Sequence, residues 1–331
     1  MKLLVLRFSS IGDIVLTSPV VRCLKTQLKD VEIHFAVKEQ FKDLVSSSPH
    51  IDRIHVLEDD LNGLIHRLKN ENFDLIIDLH HNLRTATIKR RLDVPSKSFP
   101  KLNIEKWLLV NLKIDRLPHV HIVDRYMSTV GSLGVKNDGQ GLDLFIPQER
   151  KVDPGTLPAP HRSGFTAFAI GGTYNTKRLP QHRMIELAHL IEGPIVIIGG
   201  REDVDDGRAI ASAIGKRCYD VTGKYDILGS ASLIEMSTGV VAHDSGAMHI
   251  AAAFKKNVVC VWGNTVPAFG MGPYIPQHPE RAHNAQVHGL SCRPCSKLGY
   301  PRCPQGHFRC MEAHDLKAIA DRLRADPSRT R

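Results

Sequence analysis

Gly239-Val240-Val241-Ala242-His243-Asp244-Ser245-Gly246-Ala247-Met248-His249-Ile250-Ala251-Ala252-Ala253 changes character in its middle. The run up to His243 is apolar and reads as a buried strand, and the small-residue run from Ala247 to Phe254 reads as a helix. Between them a Ser-Gly turn opens backbone donors. The helix start there presents unpaired N–H groups and partial positive charge, which suit a phosphate. His249, on the first turns, is placed to donate to that phosphate or to a sugar. Asp244 by itself also reads as an N-cap, but capping does not account for the whole string. A Ser–His–Asp triad is excluded, because Ser245 lacks the Gly-x-Ser-x-Gly elbow and neighbours in sequence rarely adopt triad geometry.

Outward from this unit the same alternation repeats. Phe165–Ile170, Pro194–Ile198 and Val258–Trp262 are strand-like, with helices predicted over Gln181–Ile191, Val204–Ile214 and Leu228–Met236. The first half shows strands at Lys2–Arg7, Glu32–Val37, Arg53–Leu57 and Asp74–Leu79, and helices near Val20–Leu28, Leu61–Asn70, Leu83–Arg91 and Asp124–Leu133. Continuous apolar strands alternating with helices indicate parallel sheets covered on both faces. The breaker-rich Asp153-Pro154-Gly155-Thr156-Leu157-Pro158-Ala159-Pro160 reads as a linker. The fold class is therefore α/β, with two doubly wound Rossmann-like domains, 1–153 and 161–310, facing a central cleft. A last helix is predicted over Met311–Arg324. Ligands of such sheets bind at the carboxyl ends of the strands.

Three further loops fall at such ends. Gly171-Gly172-Thr173-Tyr174-Asn175-Thr176-Lys177-Arg178 offers backbone amides, the Thr173 hydroxyl and two cations, an anion cradle or else a solvated turn. Gly199-Gly200-Arg201-Glu202 places a carboxylate where a ribose is held in related folds. Asp203-Val204-Asp205 mimics a metal-clamping Asp-x-Asp, but acidic residues opening a helix are accounted for by its dipole. In the first half, Arg7-Phe8-Ser9-Ser10-Ile11-Gly12-Asp13-Ile14 ends strand one. Gly12 permits a close ligand approach, and Asp13 reads as a general base, a helix cap or a partner of Arg7. Ser18-Pro19 either starts a helix or kinks a longer one. The loop has neither the phosphate-loop pattern nor Gly-x-Gly-x-x-Gly, so a nicotinamide cofactor is not indicated.

The chain has 331 residues, 42% of them hydrophobic and 24% charged, long enough for two cores. No segment reaches the roughly 18 apolar residues of a membrane span. Arg7 and Asp13 interrupt the apolar start, so a buried strand is expected there rather than a signal peptide, and a cytoplasmic address. The net charge of +9 points to anionic partners. Scattered cations and only 6% aromatics argue against nucleic acid.

Together the elements around Arg7–Pro19, the loop ending at Lys177, the Asp244–Ala252 string and Trp262-Gly263-Asn264-Thr265-Val266-Pro267 resemble glycosyltransferase family nine, the ADP-heptose:lipopolysaccharide heptosyltransferases. The resemblance runs in order over nearly the whole chain. It implies a GT-B fold, with the helix in 311–331 crossing back to the first domain, and an inverting transfer without cofactor or required metal. It implies Asp13 as the base that deprotonates the acceptor. Lys177 and the helix after Gly246 would stabilise the departing ADP, and Glu202 would hold the ribose. Thr173, Asp244, Ser245 and His249 would line the diphosphate and sugar. Tyr225 is a looser candidate for packing on the base. The acceptor side varies within the family; Gly12, His81 and Arg84 are the expected contacts to a lipopolysaccharide-core or lipid-linked acceptor at the inner membrane surface. Arg84, Lys89, Arg90, Arg91 and Lys101 extend a basic surface, though singly each reads as solvated charge. A monomer, cytoplasmic or peripheral on the membrane, is expected. The rival classes are a non-catalytic nucleotide-sugar-binding protein and a nucleotide-sugar epimerase.

Cys23, Cys218 and Cys260 read as isolated core residues. Cys292, Cys295, Cys303 and Cys310 cluster late, near His288 and His307. Four thiolates can close a structural zinc site, but the second pair is spread too far for a zinc ribbon. Packed thiols or loop disulfides are the main expectation and zinc the lesser one.

Overall fold

Leu3, Leu4, Val5 and Leu6 are all fully buried, as a strand covered on both faces requires. They form β1 (Lys2–Leu6) at the centre of the first of two sheets in this computed structural model, which describes residues 1–324. Its companions are β2 (Glu32–Lys38), β3 (Arg53–Leu57), β4 (Leu75–Asp78) and β5 (Ser96–Ser98), all parallel in the order β3-β2-β1-β4-β5. The register pairs Leu6 with Asp78, so β1 and β4 end side by side.

Around this sheet lie α1 (Ile11–Val15), α2 (Ser18–Gln27), α3 (Asp43–Ser46), α4 (Leu61–Lys69) and α5 (Leu83–Leu92). Asp60 caps α4 by accepting from the amides of Asn62 and Gly63, and Asn82 caps α5 by accepting from Thr85. Leu64, Ile65, Leu68 and Ile88 from these two helices close one face of the sheet. Arg22 of α2 is buried, bonded to Asp138 at 2.8 Å, to Asp143 and to the Gly141 carbonyl. That network fastens the loop 138–143 to the helix.

The next helix, α6 (Asn103–Leu112), leaves this unit, and α7 (Ile122–Met127) returns to it. The first unit comprises Met1–Leu102 and Val120–Phe145; the second comprises Asn103–His119 and everything from Ile146. This corrects the expected 1–153 boundary. Asp153–Pro160 is not the crossing point either, since it forms two short 3-10 turns within the second unit.

The second sheet is also wholly parallel: β6 (Thr166–Ala169), β7 (Ile195–Ile198), β8 (Cys218–Asp220), β9 (Gly239–His243), β10 (Val258–Trp262) and β11 (Ala282–Gln286), ordered β11-β10-β9-β6-β7-β8. It is flanked by α8 (Gln181–Leu190), α9 (Val204–Ile214), α10 (Ile227–Met236) and α11 (Gly246–Ala253). The predicted last helix is broken into α12 (Arg309–Glu312) and α13 (Leu316–Arg324). His314, between them, is buried with its Nε2 3.2 Å from the Trp262 carbonyl. Leu316, Ile319 and Ala320 of α13 pack into the core of the second unit, and Asn257 donates to the Arg322 carbonyl. The described part of this helix thus packs its apolar face on the second unit. Residues 325–331 of the expected crossing segment lie outside the described residues.

No helix among the described residues is long and apolar enough to cross a membrane.

Candidate functional site

In each sheet the winding direction reverses once, and polar side chains gather at that reversal. In the first sheet the switch falls between β1 and β4. The chain leaves β1 through Arg7–Ser10 and enters α1, so Asp13 stands in that helix's first turn rather than on the preceding loop. The Arg7 guanidinium reaches Asp13 Oδ2 at 2.7 Å, and the Ser10 hydroxyl donates to the same oxygen at 2.9 Å. Arg7 also donates to the Leu79 carbonyl at 2.5 Å and to the Tyr126 hydroxyl at 3.0 Å. Burial lowers the Arg7 pKa, but Asp13, Tyr126 and Asp78 outweigh it, and the net shift is upward. Asp13 therefore serves as the cap and Arg7 partner that its position in sequence allowed, with a quarter of its side chain exposed.

His80 follows β4. Burial and the Arg7 charge push it down to about 4, so it is a neutral ring at neutral pH, with Nδ1 taking the Phe8 amide at 3.3 Å. Asp78 is fully buried, paired with Lys89 at 2.8 Å, and accepts the amides of His80 and His81. His81 is exposed, its Nδ1 3.0 Å from the Phe99 carbonyl. Arg84 lies over the Phe8 ring at 5.7 Å. Gly12 is buried within α1.

The switch of the second sheet lies between β6 and β9. The loop after β6 carries Lys177, and the loop after β9 carries Asp244, Ser245 and the start of α11. Lys177 Nζ meets Asp244 Oδ2 at 2.6 Å, and the same oxygen accepts the Thr265 hydroxyl at 2.8 Å. Both charged side chains are mostly buried. Ser245 occupies the N-cap of α11 without using its side chain as a cap, and its Oγ is buried with no hydrogen-bond partner among the described residues. A buried hydroxyl beside helix amides and an ammonium is a group set for an anionic ligand.

The remaining predicted residues are spread around this centre. Thr173 is exposed in the Lys177 loop, and Glu202 is exposed just after β7. His249 is buried one turn into α11. Tyr225 is half-buried, packed near Gly229 of α10. Asp203 is buried: it accepts the Gly200 amide and pairs with Arg178 at 2.9 Å, and burial raises its pKa. Its role is to fix the turn after β7.

His243 escaped the sequence reading, and Arg178 was read only as a cation of the anion cradle. His243 is fully buried; burial and the Arg178 charge lower it to about 3, so its neutral Nε2 accepts the Leu179 amide at 2.9 Å. Arg178 bridges Asp203 and Asp206. Between them these side chains hold the Lys177 loop from both sides.

The four late cysteines are free thiols. Burial and the neighbouring sulfurs raise Cys310 to about 12 and push Cys295 upward. Cys292 Sγ lies 3.7 Å from His307 Nε2. Among the described residues, the cluster whose ligand atoms all fall within 4.8 Å of one another is His34, His55 and Glu71. There His34 Nδ1 already meets His55 Nε2 at 2.8 Å, while Arg53 and Lys2 hold Glu71. It is a satisfied polar network.

Two Rossmann-like parallel sheets, with Lys177, Ser245 and the start of α11 at the switch point of the second, define an α/β protein of two doubly wound units. A family model described as glycosyltransferase family 9 (heptosyltransferase) matches residues 62–297, well over half of the chain. Lipopolysaccharide heptosyltransferase 2 of Escherichia coli K12 is 23% identical over 312 residues, covering 87% of each chain. The crystal structure of a family 9 glycosyl transferase from Veillonella parvula has a TM-score of 0.75 at 21% identity, covering 98% of this chain and 96% of that one. E. coli ADP-heptose lps heptosyltransferase II gives 0.73 at 20% identity, covering 99% and 100%. The chain belongs to glycosyltransferase family 9 (heptosyltransferase); it is a glycosyltransferase of GT-B fold.

Proposed function

We propose that this glycosyltransferase moves a heptose from ADP-heptose to a lipopolysaccharide-core acceptor with inversion, as a monomer peripheral to the cytoplasmic face of the inner membrane. The observation that carries the reading is the Lys177–Asp244 pair beside the start of α11, at the switch point of the second sheet. The relatives' names supply the sugar and the acceptor class.

In this mechanism Asp13 takes the proton of the acceptor hydroxyl as its oxygen attacks the anomeric carbon. The bond from that carbon to the β-phosphate oxygen breaks on the opposite face, and ADP leaves with the electron pair. The Arg7 ion pair holds the Asp13 carboxylate in place. Lys177, the Ser245 hydroxyl and the α11 amides meet the charge that grows on the diphosphate, with His249 alongside and Thr173 at the rim of the loop. Charge placed beforehand in this way is usually the larger share of such catalysis. Glu202 accepts from the ribose hydroxyls. Gly12, His81 and Arg84 contact the acceptor, and no metal is required because Lys177 and the helix supply the positive charge.

The test is ADP release from ADP-heptose with a core-oligosaccharide acceptor. Asp13→Ala should lose roughly 10²–10⁴-fold in turnover while binding ADP as the unaltered protein does. Undiminished turnover in that variant would remove Asp13 from the mechanism.

A further inference from the structure

We infer that α6 and the loop around Leu298 form one surface that docks on an anionic lipid bilayer. Six of the large apolar side chains left exposed among the described residues fall in two short stretches, Ile104, Trp107, Leu112 and Ile114 in one, Leu298 and Tyr300 in the other. Both stretches belong to the second unit. Lys113 joins them: its ammonium donates to the Val110 carbonyl at 2.8 Å at the end of α6 and to the Pro294 carbonyl at 2.6 Å.

The helix is amphipathic the wrong way round for a core element. Ile104, Trp107, Leu108 and Leu112 recur at helical spacing on one side, with Ile104 73% and Trp107 55% exposed. Leu109 is buried on another side, and the Lys106 ammonium rests over the Phe269 ring at 5.9 Å. Contiguous outward apolar groups of this kind mark an interaction surface.

Charge selects the occupant. Arg116, Lys297 and Arg302 are exposed within the two stretches and Lys113 sits between them; the acidic groups there are Glu105 and Asp115, and Asp115 faces His119 at 3.5 Å. An excess of cations around a Trp-bearing apolar face suits the headgroup region of an anionic leaflet, where the ring lies at the interface and the cations meet phosphate. The net charge of +9 adds to that attraction. The surface is also continuous with the Lys177 loop. The Tyr300 amide donates to the Thr176 hydroxyl at 2.8 Å, and that hydroxyl donates to the Tyr300 carbonyl at 3.1 Å. Docking there brings the membrane plane to the residue next to Lys177.

The inference gives a surface to the membrane-peripheral reading above and rests on it for choosing a bilayer over a protein partner. The two fail separately, because ADP release with a water-soluble acceptor needs no bilayer. The experiment is cosedimentation with phosphatidylglycerol–phosphatidylethanolamine vesicles, at low and high salt, against phosphatidylcholine vesicles. The full chain should bind the anionic vesicles, release them at high salt and show a blue shift in Trp emission; Trp262 is fully buried, so Trp107 is the reporter. Ile104→Glu combined with Trp107→Glu should weaken binding by roughly tenfold or more, and Lys297→Glu with Arg302→Glu should remove most of the salt dependence. All four sites are exposed, so unchanged circular dichroism is expected. Absence of vesicle binding by the full chain, or binding by the first pair equal to it, overturns the inference. So does sedimentation as a dimer that the first pair dissociates, which would make a second copy the occupant.

Discussion

Lys177 carries a charge that is balanced within the protein itself. Asp244 takes its ammonium, and Thr265 shares the same oxygen. In the proposed mechanism the diphosphate would compete with Asp244 for Lys177 and meet the start of α11, where Ser245 makes no side-chain cap. Lys177→Ala should therefore lower turnover by roughly 10²–10³-fold and weaken ADP binding, and because it leaves the mostly buried Asp244 without its cation it should also cost about 3 kcal/mol of stability; steady-state kinetics, calorimetric titration and chemical denaturation separate the three. His243 predicts a loss read mainly in stability. His243→Ala strips the acceptor from a buried amide and opens a cavity, so stability should fall by about 2–4 kcal/mol, read by urea denaturation. The position of Lys177 and Asp244 in loops after strands was legible, because each follows an apolar run broken by small and polar residues. His243 was not. Its work depends on Leu179, 64 residues earlier in the chain, lying above the end of β9.

At the scale of elements, the interior strands were readable because they are continuously apolar, and among the edge strands only the apolar-patterned β3 was. β5 is Ser-Lys-Ser, β8 is Cys-Tyr-Asp and β11 is Ala-His-Asn-Ala-Gln, and each stands at a sheet margin where polar side chains meet water. Edge strands tolerate, and use, such residues. α6 escaped notice because its apolar face points outward, and α12 and α13 merged in the sequence because His314, which parts them, leaves the helical period intact. Gly263 shows how close two elements must come. A Cβ there would lie 2.3 Å from the Thr176 carbonyl oxygen and 2.7 Å from Met311 Cε. Since the backbone oxygen cannot swing away, Gly263→Ala should push the Lys177 loop off β10. The expected result is a destabilisation of about 1–3 kcal/mol together with a loss of turnover larger than that stability change implies. Kinetics measured well below the unfolding temperature distinguish the two effects.

For the whole molecule, each unit has its own core, so each is expected to melt as its own cooperative body. The Arg22 network is a handle on the first. Hydrogen bonding to Arg22 holds Asp138 down to about 2 from the ordinary value of 3.8. A carboxyl whose folded pKa is depressed stabilises fully above its unfolded pKa, so this contribution is present above about pH 4 and is lost as the pH falls towards 2. Arg22→Ala should remove it and leave two carboxylates without their cation, costing about 3 kcal/mol. In scanning calorimetry the first-unit transition should move down at neutral pH and lose its steepness between pH 4 and 2, with the second-unit transition unmoved. A shift of both transitions would show that the Arg22 network stabilises more than its own unit.

The excursion of residues 103–119 into the second unit has a practical consequence for anyone cutting or recombining this chain. A fragment ended near residue 150 would take α6 along without its hosts around Phe269 and Pro294, and its bared Leu109 face would invite precipitation. Hybrids between relatives made by exchanging front halves at a single junction would marry one parent's α6 to the other parent's body. A faithful exchange needs three splices, near 102, 120 and 146, so that inheritance of the first unit and inheritance of this helix become separable traits.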